Sequence, residues 1–251
     1  MKILAIGNSF SADVTRYLHE IAEAGGFILK VVNLYIGGCS LATHYKNINN
    51  DDRAYSLEFN GYETGFFVSI REALQSDLWD YVTMQQASLF SNDHKTYQPY
   101  LQSLSEYVKF HAPQAAQVFH RTWAYENGSQ RLADLGYSAS SEMLADINAA
   151  SEKAANEAGI NQIIPTGDLI ESMTNAGVSP IYRDTYHLSF GAGRYAAAAL
   201  WYEWFTGKTI MDNTFNKFDE DIDNKTISEI KQLVHRLADE RKPKTKLSES
   251  S

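Results

Sequence analysis

Apolar and polar positions fall into short blocks along this chain, and their period switches repeatedly. The first block, Ile3 to Ile6, is an unbroken apolar run closed by Gly7, which reads as a buried strand. Val14, Tyr17, Leu18 and Ile21 then recur at the spacing of one helical face. Ser11 and Asp13 are placed to cap that helix, and Gly25-Gly26 to end it. Ile28 to Ile36 is β-branched and aromatic, a second strand ending at Gly37-Gly38. Residues 39–65 show little period and are rich in Asn, Asp and Tyr, which predicts a long loop. A short helix is expected from Phe66 to Leu74. A third strand is expected from Trp79 to Met84, ending in Gln85-Gln86. Tyr97 to His111 carries a helical stripe, Gln117 to Trp123 a fourth strand, and Ser140 to Ala158 an alanine-rich helix. Ile160 to Pro165 reads as a fifth strand. Helices are expected from about Asp168 to Asn175, from Gly191 to Phe205 and from Ile227 to Glu240.

Strands alternating with helices predict a parallel sheet covered on both faces. In such sheets the site lies at the carboxyl ends of the strands. Four of those ends carry small or polar residues here: Ser9, Gly38, Gln85-Gln86 and Trp123-Ala-Tyr125. One domain over residues 1–241 is expected, followed by a disordered tail at 242–251, which has no apolar period.

Composition narrows the partners. The chain has 251 residues, 44% hydrophobic, enough for one sizeable core. Its net charge is -9, which disfavours nucleic acid and an anionic membrane surface. No apolar run approaches the ~18 residues of a bilayer span. Met1 leads straight into the first strand, so a cytoplasmic location is expected as written, or a secreted or periplasmic one if a leader precedes it. One cysteine, Cys39, permits no intrachain disulfide and reads as a small buried hydrophobe. The histidines His19, His44, His94, His111 and His235 lack ligand spacing, so no metal is expected.

The chemistry starts at Ser9. It sits at a strand-to-helix turn, where its own N–H favours an anion, a setting suited to a nucleophile. A serine needs a base. His187 lies in the loop Tyr182-Arg-Asp-Thr-Tyr-His-Leu-Ser189, three residues after Asp184. The carboxylate can accept from one ring nitrogen while the other faces the serine. Donors for a developing oxyanion are expected from Ser9 N–H, Gly38 N–H and the amide of Gln85 or Gln86, with Gln86 preferred. Aromatics are plentiful, and Trp123 and Tyr125 fall beside the proposed site, where their faces suit sugar rings. His120 is a further candidate substrate-binding residue. No loop is rich enough in Leu, Ile and Phe to build a long acyl pocket.

Together these stretches resemble the SGNH (GDSL-type) hydrolase superfamily, and more closely its bacterial DUF4886-type members. Gly7-Asn-Ser-Phe-Ser11 matches the serine block, and Tyr35-Ile-Gly-Gly-Cys-Ser-Leu41 the glycine block. Trp79-Asp-Tyr-Val-Thr-Met-Gln-Gln-Ala-Ser88 matches the third block, and Asp184-Thr-Tyr-His-Leu-Ser189 the last. The likeness runs from Lys2 to Gly207. It implies a three-layer α/β/α flavodoxin-like fold with about five parallel strands. It also implies ester hydrolysis with Ser9 as nucleophile, His187 as base, Asp184 as its orienter and Gly38 as an oxyanion donor, with no cofactor. Two departures stand out: Asn8 replaces the usual acid, and Gln85-Gln86 stand where an asparagine is usual, as in sialate O-acetylesterases. The expected activity is that of a carbohydrate O-acetylesterase acting on a small-molecule or glycan ester. The alternatives are a non-catalytic glycan-binding module and a lipase- or thioesterase-type acyl hydrolase.

Overall fold

A computed structural model describes residues 1–240. The tail expected at 242–251 lies outside the described residues. The strands are β1 (Lys2–Gly7), β2 (Lys30–Tyr35), β3 (Tyr55–Phe59), β4 (Tyr62–Val68), β5 (Tyr81–Met84), β6 (Ala116–Arg121) and β7 (Ile163–Pro165). They form one sheet of order β4-β3-β2-β1-β5-β6-β7. Pairings from β2 through β1, β5 and β6 to β7 are parallel, matching the five strands read from the sequence. The carboxyl ends of these strands therefore share one edge of the sheet.

The helices are α1 (Ser9–Thr15), α2 (Leu18–Ala24), α3 (Leu41–Asn50), α4 (Ile70–Gln75), α5 (Tyr100–His111), α6 (Gln130–Asp134), α7 (Ser140–Glu157), α8 (Thr166–Ala176), α9 (Ala192–Thr206) and α10 (Asn224–Glu240). Successive strand residues face opposite ways, and that alternation separates two cores. Ile3, Val31, Val118 and Ile164 pack with α1, α2, α8 and α9. Leu4, Val32, Val82 and Phe119 pack with α3, α4, α5 and α7. α9 is apolar all round, so it needs cover on both sides. The sheet supplies one, and α10 adds Ile230 and Val234 to the same core.

Three expectations are corrected. The segment 39–65 is not a long loop. Ser40 caps α3 by accepting from Thr43 N–H at 3.2 Å, and a hairpin of β3 and β4 follows, antiparallel to β2. Its turn is Asn60-Gly61, with φ 50° and 87°, the two-residue turn whose twist suits a hairpin. The helix expected from Phe66 begins only at Ile70, because 66–68 finish β4. Lastly, the first helix is two helices, α1 and α2, interrupted at Arg16 and Tyr17, with Asn8 rather than Ser11 or Asp13 as its N-cap.

Candidate active site

Ser9 is the first residue of α1, directly after the central strand. Asn8 before it is extended and buried, 2% exposed. Its side-chain oxygen accepts from Phe10 N–H at 3.0 Å and from Gln85 Nε2–H at 2.7 Å. Its Nδ2 donates to the Cys39 carbonyl at 3.0 Å. A carboxylate could not make that last bond, which explains an amide at this position. Ser11 closes the turn, its hydroxyl accepting from Asn8 N–H and donating to Asn8 C=O. Gly7 has to be glycine. A Cβ there would lie 2.3 Å from Ser11 Oγ and 3.1 Å from Gln85 Cδ.

His187 comes from the turn before α9. Its Nε2 lies 2.8 Å from Ser9 Oγ, and its Nδ1 lies 2.7 Å from Asp184 Oδ2. The carboxylate fixes the tautomer: Nδ1–H donates to it, leaving Nε2 to accept from the serine. The other Asp184 oxygen accepts His187 N–H at 2.8 Å. Burial pushes the Asp184 carboxyl up, but the ring and backbone N–H bonds of His187 outweigh it and hold the group below the usual carboxylate range. The turn is strained. Thr185, β-branched, has φ 72°, a left-handed conformation costing roughly 1–3 kcal/mol. Its carbonyl is held by Glu126 N–H at 2.8 Å, and Arg183 N–H bonds the His187 carbonyl at 3.0 Å.

Asp13 joins the two halves. It lies one helical turn beyond Ser9 and is fully buried. Oδ2 accepts Leu188 N–H at 3.1 Å, and Oδ1 takes Arg183 and Arg194, each at 2.8 Å. The carboxylate thus bonds the residue after His187, the residue before Asp184 and the helix that follows. Trp123 makes a second bridge. It stacks on Phe10 at 3.9 Å between centroids and donates its indole N–H to the Tyr186 carbonyl at 2.7 Å.

The residues expected to complete the site divide. Ser9, Gly38, Tyr125 and His187 line a cleft of about 440 Å³, with Asp184 behind the histidine. Gly38 has φ 63°, a turn that favours glycine. Neither glutamine amide lines that cleft. Gln86 Oε1 accepts Leu41 and Ala87 N–H, while its Nε2 donates to Thr96. Gln85 takes the His120 ring at 2.7 Å and gives to Asn8. His120 is wholly buried, and burial pushes its ring down to about 3, so it is neutral and donates from Nδ1. His120, Trp123 and Tyr125 are therefore corrected: all three are buried, with no ring face open to a substrate, and the Tyr125 hydroxyl bonds Ser88. The chain from His120 through Gln85 and Asn8 to Cys39 instead fixes the loop carrying Gly38. Sequence reasoning passed over Arg131, Arg183, Tyr186 and the role of Asp13. Arg183 and Tyr186 stand within the quoted His187 stretch, and Asp13 is a carboxylate on an otherwise apolar helical face. Arg131 gives no local signal.

Among the described residues no three His, Cys, Asp or Glu side chains are grouped as a metal ion would require, and no helix is long and apolar enough to cross a membrane.

Comparison with known proteins gives one family. The model of a domain of unknown function, DUF4886, matches residues 2–235. A solved DUF4886 protein from Bacteroides uniformis is 34% identical, covers 100% of this chain and 99% of its own, and superposes with a TM-score of 0.89. A candidate SGNH hydrolase from Slackia heliotrinireducens is 27% identical over 81% of this chain and 97% of its own, with a TM-score of 0.57. An acetylxylan esterase, Axe2 from Geobacillus stearothermophilus, is 14% identical over 82% of this chain and 92% of its own, at a TM-score of 0.51, a likeness of fold. No protein of curated function matches the chain. The fold is the flavodoxin-like α/β/α arrangement of the SGNH hydrolases.

Proposed function

The chain belongs to the DUF4886 family, and from that premise we propose that it hydrolyses esters through an acyl-enzyme formed on Ser9. The observation that carries this reading is the unbroken line from Asp184 through His187 to Ser9, with bonds of 2.7 and 2.8 Å. As Ser9 Oγ attacks an ester carbonyl, His187 Nε2 takes its proton and Asp184 stabilises the resulting imidazolium. The carbonyl oxygen becomes an oxyanion, met by the N–H groups of Ser9 and Gly38. Collapse breaks the bond to the alcohol, and His187 returns the proton to that leaving oxygen. Water then repeats the sequence on the acyl-enzyme and frees the acid.

The cleft favours a short acyl group on a ring-bearing alcohol. Its walls hold Tyr35 and Tyr186, partly exposed aromatic rings whose faces suit a sugar, while Tyr125 is packed edge-on behind Tyr186. A carbohydrate O-acetylesterase is the specific form we favour. One observation supports a second reading, a module that binds glycans without cleaving them. Both glutamine amides are engaged elsewhere, so the proposed hole rests on backbone donors, and losing a donor costs ~10²–10³ in rate. Turnover of p-nitrophenyl acetate by the wild type and by Ser9→Ala separates the two. The esterase reading expects turnover that Ser9→Ala removes and fluorophosphonate labelling at Ser9; equal rates would overturn it.

A further inference from the structure

The cleft has the wrong sign of charge for this chain. Acidic residues outnumber basic ones, 31 to 22, yet the residues lining the cleft include two arginines, Arg131 and Arg183, while the nearest carboxylates, Asp184 and Asp13, are taken by His187 and by Arg183 with Arg194. Arg183 is accounted for, because buried Asp13 neutralises it. Arg131 is not. It is exposed and forms no ion pair among the described residues.

What Arg131 touches is aromatic. Its guanidinium lies 4.0 Å from the centroid of the Tyr186 ring and 5.6 Å from that of Tyr125. Stacking of this kind holds the plane of the fork and leaves its N–H groups pointing outward, the arrangement that meets a carboxylate with two parallel bonds. Its place also says which part of the substrate it meets. The leaving alcohol has to stand at His187 Nε2, because it collects its proton there. Tyr186 packs against that ring, the two centroids 3.9 Å apart, and Arg131 lies on Tyr186. The guanidinium is therefore on the alcohol side of the scissile bond.

We propose that the substrate is an ester whose alcohol portion carries a carboxylate, and that Arg131 binds it. The inference rests on the esterase reading for its orientation. Arg131 is a specificity residue that recognises the substrate and takes no part in proton transfer.

Meta-acetoxybenzoate and meta-acetoxybenzamide make a matched pair, alike in size, one anionic and one neutral. The wild type is expected to favour the carboxylate by roughly tenfold in kcat/KM, mainly through KM, as for one charge-assisted contact at a partly exposed site. That preference should shrink with added salt. Arg131→Gln should bring the ratio near one, and Arg131→Lys should restore part of it. A wild type without preference, or Arg131→Gln with the wild-type ratio, overturns the proposal. Failure of the esterase reading is read separately. If the wild type cleaves neither compound, titration calorimetry of the Ser9→Ala protein decides. Tighter binding of the benzoate that disappears on adding Arg131→Gln supports the carboxylate site. Equal binding, or none, overturns it.

Discussion

Two nucleophile–imidazole pairs lie at the ends of neighbouring strands β1 and β2. Ser9 stands 2.8 Å from His187, and the Cys39 sulfur stands 3.5 Å from Nδ1 of His44. Each histidine has an oxygen as third partner. For His187 it is the Asp184 carboxylate; for His44 it is the Tyr55 hydroxyl at 2.8 Å, itself held by Asn47. The surroundings differ as much. His187 lines the cleft, whereas His44 is wholly buried and its Nε2 has no partner. Burial pushes the Cys39 thiol up to about 12 and the His44 ring down to about 3. Near neutral pH neither carries charge, so no thiolate exists to attack and no imidazolium forms to give a proton back. A nucleophile beside a histidine is thus not a reactive site. The open pair has a charged third partner and an opening to solvent, and the buried pair has neither.

That contrast can be broken most severely at the open pair. Ser9→Ala or His187→Ala should lower kcat/KM for p-nitrophenyl acetate by about 10⁴ or more, since each removes the whole unit. Asp184→Asn should cost about 10²–10⁴, because the amide no longer enforces the tautomer or offsets the imidazolium. Its pH signature is distinct. Asp184 is held below the usual carboxylate range, so an acid limb in wild-type kcat/KM near neutral pH reports the general base and not this carboxylate. The stability this carboxylate lends is complete above the ordinary carboxylate range and is lost only as pH drops through its lowered value. An acid limb that is missing from the wild-type profile would count against His187 as base.

Asp13→Asn should act next. Removing one partner of a buried ion pair costs about 3–5 kcal/mol, visible in urea denaturation, and loosening of the His187 turn should cost about tenfold in kcat. Cys39→Ser should do least to catalysis, within about twofold, because the side chain takes no part in the site and its carbonyl still serves Asn8. A large loss of rate in Cys39→Ser would mean that the buried pair is not inert.

The parallel strands were legible because most carry a short buried apolar run, such as Ile3–Ile6 in β1, and small or polar residues follow their ends. The meeting of Ser9, His187 and Asp184 was legible because Asp184 and His187 lie within one turn and Ser9 at another. The hairpin was hidden by its own polarity: Tyr62–Val68 is exposed on both faces at the sheet edge, so it shows no alternation. Only Asn60-Gly61 marked it. The glutamines were illegible for a different reason. Past the last ladder bond of β5 the period of two no longer says where a side chain points, and both amides turned to buried partners. Trp123 looked like a binding face and proved to be a floor. Its stacking on Phe10 is a contact between segments more than a hundred residues apart, which no local pattern records.

The buried Asp13 bond to Leu188 closes a loop of 175 residues. While the chain is being made, β1 and α1 emerge before the His187 turn, and Ser9 then has no imidazole beside it. Its base is the last part of the constellation to be synthesised, and the carboxylate that seats that base has been waiting near the start of the chain. The line from Asp184 through His187 to Ser9 therefore closes only when the segment around residue 187 docks against the first helix, and it opens when that segment lifts away. The order of synthesis keeps the two halves of the candidate site apart until that docking.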